Sequence, residues 1–248
     1  MESRIAQELK LRYQPVGILF TNDKPDNAMQ FIEGRRGCVV GMLNAAAKGR
    51  TAVFDRKTAG CIGGEVGLGF GNAYPKMPGG IEYFLSTGRG EGYMPGEGYK
   101  KTPELAKHFV DQLPMTDIPY QYVVFTPLSQ VDREKENPQL VVFYANADQL
   151  SALVVLANFN RETSDNVMIP FGAGCQTTCL IPYSESQREQ PKAVIGLVDI
   201  TVRPMVDADL LSFTVPYTMF QEMEDNINGS FIEKHLWHKI RERIPAVK

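Results

Sequence analysis

Short apolar runs alternate along this chain with stretches of helical spacing, and that alternation restricts it to a mixed α/β (α+β) fold. Residues 16–21 (VGILFT), closed by Asn22-Asp23, are expected as a buried strand. Further strands are expected at 51–54, 81–87 (IEYFLST), 121–126 (QYVVFT), 140–144 (LVVFY), 167–170 and 193–202 (AVIGLVDITV). Between them fall helical patterns. Residues 2–13 follow Ser3 as a cap and stop before Pro15, and the small-residue run 38–48 ends at Gly49. Thr102-Pro103-Glu104 opens a helix with a cap, a proline in the first turn and an acid against the helix dipole. Asp148 is expected to cap a helix through Leu156. Residues 206–213 are expected as a loop or short strand, and helices at 215–223 and 231–243 complete the chain.

Several segments recur in order. Residues 17–21 (GILFT) match 123–127 (VVFTP), and 38–49 match 149–160. Residues 53–61, ending Gly60-Cys61, match 167–175, ending Gly174-Cys175. Residues 83–89 match 197–203, and 102–110 match 215–223. The pattern suggests two similar half-domains, 1–115 and 116–248, packed as one globular unit across a pseudo-two-fold axis. Cys61 and Cys175 would then be equivalent positions near that axis.

The composition sets the functional class only broadly. Apolar residues make up 43% and charged residues 22% of the 248 positions, as in an ordinary globular protein. The net charge of -3 gives no basic excess for nucleic acid, and no polybasic block points to a membrane surface. The longest apolar run, 150–159, is about half the length of a membrane span. The charged N-terminal segment lacks the apolar core of a signal peptide. A cytoplasmic location follows as the expectation. Thiols are kept reduced there, so the four cysteines are expected to be free, catalytic or metal-bound rather than paired.

Those cysteines are Cys38, Cys61, Cys175 and Cys179. No Cys-x2-Cys pair is present, so neither zinc-ribbon nor bacterial ferredoxin spacing applies. Four thiolates nevertheless suit zinc or an iron–sulfur cluster. Glycine precedes Cys38, Cys61 and Cys175. Without a side chain, Gly60 and Gly174 let backbone N–H groups approach sulfur or a cofactor. Two other readings stand beside ligation: burial as small apolar side chains, and a reactive thiol at Cys61 if it opens a helix.

Gly67-x-Gly69-x-Gly71 lacks the spacing of the dinucleotide fingerprint and is read as a turn. The loop 88–101 carries five glycines with Arg89 and Lys100, which are candidates to clamp an anionic ligand beneath a lid. His235 and His238 are flanked by Lys234 and Lys239 and are read as a solvated face.

The segments GYKKTPELAK (98–107), ANADQLSALVVLANF (145–159), FGAGCQTTCLIPY (171–183), PKAVIGLVDITVRP (191–204) and LLSFTVPYTMFQEMEDN (210–226) resemble the domain of unknown function 169 family, members of which occur in archaea and anaerobic bacteria. The resemblance spans nearly the whole chain. It implies a cysteine before a small-residue helix, a second before a glycine stretch and a third in Gly-x-Gly-Cys, here Cys38, Cys61 and Cys175. Cys179 is then a fourth ligand or a neighbour, and three ligands would leave an open iron. The expectation is one [4Fe-4S] cluster where the halves meet, for redox or Lewis-acid chemistry. The competing readings are a metal-free binder of small anions and a zinc-stabilised interaction protein. The expected partners are a small-molecule ligand or a redox protein, with a homodimer allowed.

Overall fold

A computed structural model describes residues 2–90, 92–132 and 134–245. Seven strands form one sheet: β1 (Val16–Thr21), β2 (Ala52–Phe54), β3 (Tyr122–Pro127), β4 (Leu140–Ala145), β5 (Val167–Met168), β6 (Ala193–Gly196) and β7 (Leu211–Pro216). Their order is β2-β3-β1-β4-β7-β6-β5. All neighbours are antiparallel except β5 and β6, so the sheet is mixed and the fold α/β, as the alternation implies. Strand β3, which opens the second half of the chain, lies between β1 and β2.

The sheet is buried on both faces because its strands are apolar at nearly every position, not at alternate ones. On one face Ile18, Phe20, Phe125, Val142 and Tyr144 pack against α2 (Val39–Ala47), which contributes Val39, Val40 and Leu43. On the other, Val141, Phe143, Phe213 and Val215 pack against α1 (Arg4–Glu8), α6 (Ala147–Asn158) and α8 (Tyr217–Asp225). Trp237 of α9 (His235–Arg243) joins this second layer. A third, smaller cluster unites α3 (Ile62–Gly67), α4 (Ile81–Phe84) and α5 (Pro103–Asp111) around Val66, Tyr74 and Val110. The last helical piece, α7 (Ile181–Ser186), follows a wide π-helical turn at Gln176–Leu180.

Four sequence expectations are corrected. Residues 81–87 are not a strand: Gly79 and Gly80 take φ of +83° and +93°, and the chain then coils into α4. Ile81 and Leu85 then lie one helical turn apart and pack together on the third cluster. The helix expected from 215 starts only at Tyr217, because the short strand allowed at 206–213 runs on to Pro216 as β7, hydrogen-bonded to β4 and β6 on its two sides. The extended run at 193–202 stops at Gly196, and 200–205 is a 3-10 turn capped by Asp199. Helix α6 is capped by Asn146, whose side chain and that of Gln149 form a reciprocal capping box. Asp148 sits in its first turn and pairs with Arg243.

The internal duplication is not confirmed. The matched strands β1 and β3 are hydrogen-bonded neighbours, and the matched helices α2 and α6 cover opposite faces of the sheet. Residues 83–89 and 197–203, expected as equivalent strands, hold the end of α4 with a turn and the start of a 3-10 turn, respectively.

Candidate functional site

Three Gly-Cys dipeptides come together where the third cluster meets the sheet layer. Cys38 precedes α2 and occupies its N-cap without a side-chain hydrogen bond. Cys61 is the N-cap of α3, and its Sγ accepts from Gly64 N–H at 3.2 Å. Cys175 opens the π-helical turn and donates its S–H to Gly63 O at 3.2 Å. All three line one cavity of about 620 Å³, together with Gly60, Gly63, Gly64 and Gly174.

The backbone holds these loops in place. Gly37 N–H donates to Gly60 O at 2.9 Å, tying the residue before Cys38 to the residue before Cys61. Gly60 has φ of +84°, a left-handed conformation that glycine adopts without strain. Gly174 lies against Val40 of α2, so close that a Cβ there would meet Val40 Cγ2 at 2.7 Å. Gly67 of α3 lies against Cys175, where a Cβ would meet its Sγ at 2.4 Å. Each cysteine-bearing loop therefore rests directly on another.

The electrostatics favour neutral thiols. Desolvation raises the pKa of Cys61, which lies among cavity walls although its residue is still reached by solvent, and strongly raises that of the buried Cys175, and each is raised further by the neighbouring cysteines. Cys61 sits at a helix start, but its Gly64 and Gly63 amide bonds only partly offset the desolvation. Two polar groups flank the thiols. Tyr74 is buried, and its hydroxyl oxygen accepts from the Gln176 side-chain amide. Asp199 accepts from Tyr99 Oη at 2.7 Å, Thr201 Oγ1 at 2.7 Å, Thr201 N–H at 3.0 Å and Gly174 N–H at 3.2 Å. Both line the cavity.

A family model described as uncharacterised ArCR matches residues 4–226, nearly the whole chain. The chain belongs to the DUF169 family. No curated protein and no solved structure matches it. In this DUF169 chain the match contains every cavity residue and ends before α9.

The remaining expected site residues fall elsewhere. Cys179 is fully buried in the sheet-side core and is absent from the cavity lining. Arg89 stacks over Tyr83 at 4.7 Å and donates to Gly79 O, while Lys100 lies over Phe109 and Phe171 at 5.2 and 5.6 Å. Neither cation lines the cavity, although Phe109 and Phe171 do. Tyr99, on the glycine loop singled out for function, does line the cavity, whereas sequence reasoning passed over Arg35, Arg36, Tyr74 and Asp199. The two arginines had a signal, standing just before Gly37-Cys38, but Tyr74 and Asp199 acquire their roles only through the fold. No described helix is long and apolar enough to cross a membrane.

Proposed function

We propose that this protein holds one [4Fe-4S] cluster through Cys38, Cys61 and Cys175, with Cys179 left out and one iron facing the cavity. The observation that carries this reading is the convergence of three Gly-Cys dipeptides on a single cavity. The donor set fits. Burial keeps Cys61 and Cys175 protonated as free thiols, and the positive charge of iron is what would hold such groups as thiolates. Glycines at 60, 63, 64 and 174 leave the cavity wall bare of side chains beside the sulfurs, where backbone amides can approach inorganic sulfide. Among the described residues no three His, Cys, Asp or Glu side chains are grouped to hold a metal ion, so what supports the cluster reading is the shared cavity and not ligand proximity. A cluster is wider than one ion and takes its ligands from further apart.

Bound there, the cluster would supply either an electron or Lewis acidity at the open iron. The protein's own part is to exclude solvent, through Tyr74 and the apolar wall, and to present the Tyr74 hydroxyl beside the sulfurs. Its oxygen already accepts from Gln176, so its proton is free to donate to a bound group.

The test is anaerobic reconstitution with ferrous iron and sulfide, followed by iron and acid-labile sulfide analysis. About four irons per chain are expected, with visible absorbance, for a full cluster. Cys38→Ala, Cys61→Ala and Cys175→Ala should each lower that loading, and Cys179→Ala should keep it. A folded wild-type protein that takes up neither iron nor sulfide would overturn the reading. Equal loss in Cys179→Ala and Cys61→Ala would overturn the ligand set.

A further inference from the structure

The cavity has a second character that the thiols do not explain. Away from the cysteines its wall is apolar, formed by Ile81, Phe84 and Leu85 of α4, Phe109 of α5, and Met94 and Phe171 from loops. Met94 and Phe171 remain 38% and 37% exposed, so apolar surface is left facing the opening. A space of about 620 Å³ with such walls is of the size that encloses a small organic molecule.

The charge of the lining is opposite to that of the protein. Five basic side chains line the cavity against three acidic ones, in a chain of net charge -3. Three of the cations are engaged: Arg56 with Asp117, Lys57 with Glu33 and Lys76 with Glu65. Arg35 and Arg36 are exposed and have no carboxylate partner among the described residues. Asp199 is saturated by four donors, which leaves Glu97, exposed on the glycine loop, as the one lining acid without an ion-pair partner among the described residues. Arg36 lies near enough to Cys61 for its charge to act on that thiol. Uncommitted positive charge is therefore present near the thiols, in a cavity that also carries an aromatic wall.

We propose that this cavity binds an organic carboxylate with an aromatic-sized apolar body, its acid group held by Arg35 and Arg36 and its body against Phe84, Phe109 and Phe171. A guanidinium offers a planar fork that matches a carboxylate, and the two arginines of the lining that have no carboxylate partner give the site its preference for an acid. The apolar wall distinguishes such a ligand from a bare anion, which would leave Phe84, Phe109 and Phe171 facing water. The Tyr74 hydroxyl is placed to donate to an oxygen that reaches the thiols. The proposal concerns the cavity wall and its two arginines, so it stands whether or not iron is bound.

The experiment is calorimetric titration of the full chain, with its iron content measured on the same sample. The probes are 2-naphthoate, the neutral 2-naphthalenemethanol and inorganic phosphate. Naphthoate should bind at one site at least tenfold more tightly than the alcohol or phosphate. In Arg35→Ala/Arg36→Ala, which alters only exposed side chains, naphthoate should fall to the affinity of the alcohol, with the alcohol unchanged. Equal binding of acid and alcohol by the wild type would overturn the proposal, as would an acid preference that survives in the double variant. Phosphate binding as tightly as naphthoate would refute the apolar body, and absence of naphthoate binding would refute the site. Iron loading is read separately, so failure here and failure of the cluster are told apart.

Discussion

Replacing Gly60 by alanine tests whether the loops carrying Cys38 and Cys61 are locked to each other. Two costs add at this position. The residue sits at φ of +84°, and an L side chain in the left-handed region costs about 1–2 kcal/mol. A Cβ there would also lie 2.7 Å from Gly37 O and 2.7 Å from Phe31 Cε2. Backbone oxygen cannot swing aside as a flexible side chain can, so the overlap adds roughly 1–3 kcal/mol, as for other overpacked sites. Gly34→Ala is the control. Gly34 has φ of +77° but nothing within 4 Å of a new Cβ. Both variants lose the same glycine freedom in the unfolded chain, an effect of about 0.4–1 kcal/mol that cancels between them. Gly60→Ala should therefore be less stable than Gly34→Ala by roughly 1–3 kcal/mol. For a chain of this size that separates the two melting temperatures by about 2–12 °C. Parallel thermal melts and urea titrations read the difference directly. Coincident curves for the two variants would refute the close approach of Gly37 and Gly60, and with it the shared register of the two cysteines.

Two further outcomes follow from the same geometry. Tyr99→Phe removes one of four donors to the buried Asp199 carboxylate and should destabilise the protein by about 1.5–3 kcal/mol, the range for a hydrogen bond to a charged group; an unchanged urea midpoint would show that Asp199 does not depend on it. The thiols predict alkaline lability. Cys61, Cys175 and Cys179 are all raised from the ordinary thiol value of 9.0, chiefly by burial. Above that value the unfolded chain releases protons that the folded chain keeps, so stability is complete below about pH 9 and falls as pH rises beyond it. Tyr74 and Tyr144 are raised from 10.0 by the same cause and act with the same sign at still higher pH. Melting temperatures followed from pH 7 to alkaline conditions should decline, and Cys175→Ala should flatten the part of the curve nearest pH 9. A flat profile in the wild-type iron-free protein would contradict the burial of these thiols.

The cysteines were legible because their signal is local: a glycine stands before Cys38, Cys61 and Cys175 but not before Cys179, and these three are the ones that reach the cavity. The cations were misread because their fate is tertiary. Arg89 and Lys100 sit on a glycine-rich loop, which suggested mobile charge, but aromatic rings from α4, α5 and the Phe171 loop take them up. Nothing in the spacing of Lys100 and Phe171 announces that contact. The strand at 81–87 failed for a different reason. A seven-residue apolar run carries too few residues to separate a period of two from one of 3.6, and the two left-handed glycines ahead of it favour a fresh start over extension from a strand. Strand β7 was legible only as a loop or short strand at 206–213, and its run on to Pro216 was obscured by its serine and threonine. Ser212 and Thr214 point inward on the α2 side of the sheet and are fully buried, with no hydrogen-bond partner for either hydroxyl among the described residues. Their polarity disguised a central strand that Phe213 and Val215 make apolar on its other face.

The failure of the duplication strengthens the site rather than weakening it. Had Cys61 and Cys175 been symmetry equivalents, their proximity would be a by-product of two copies meeting at an axis. Instead the three loops are unlike. One leads into a nine-residue helix, one into a six-residue helix of glycines, and one into a π-helical turn. They are joined by three different contacts: the Gly37–Gly60 hydrogen bond, the fit of Gly174 on Val40, and that of Gly67 on Cys175. Each contact has a glycine on at least one side, and each lies within about one helical turn of a cysteine. Packing alone does not need this, because a core built with larger side chains at these positions and the loops set further apart would be filled equally well. Wider spacing would instead separate the sulfurs. The glycines thus set the distance between the thiols before any ligand arrives, which is the preorganisation that a binding or catalytic centre requires and a plain hydrophobic core does not.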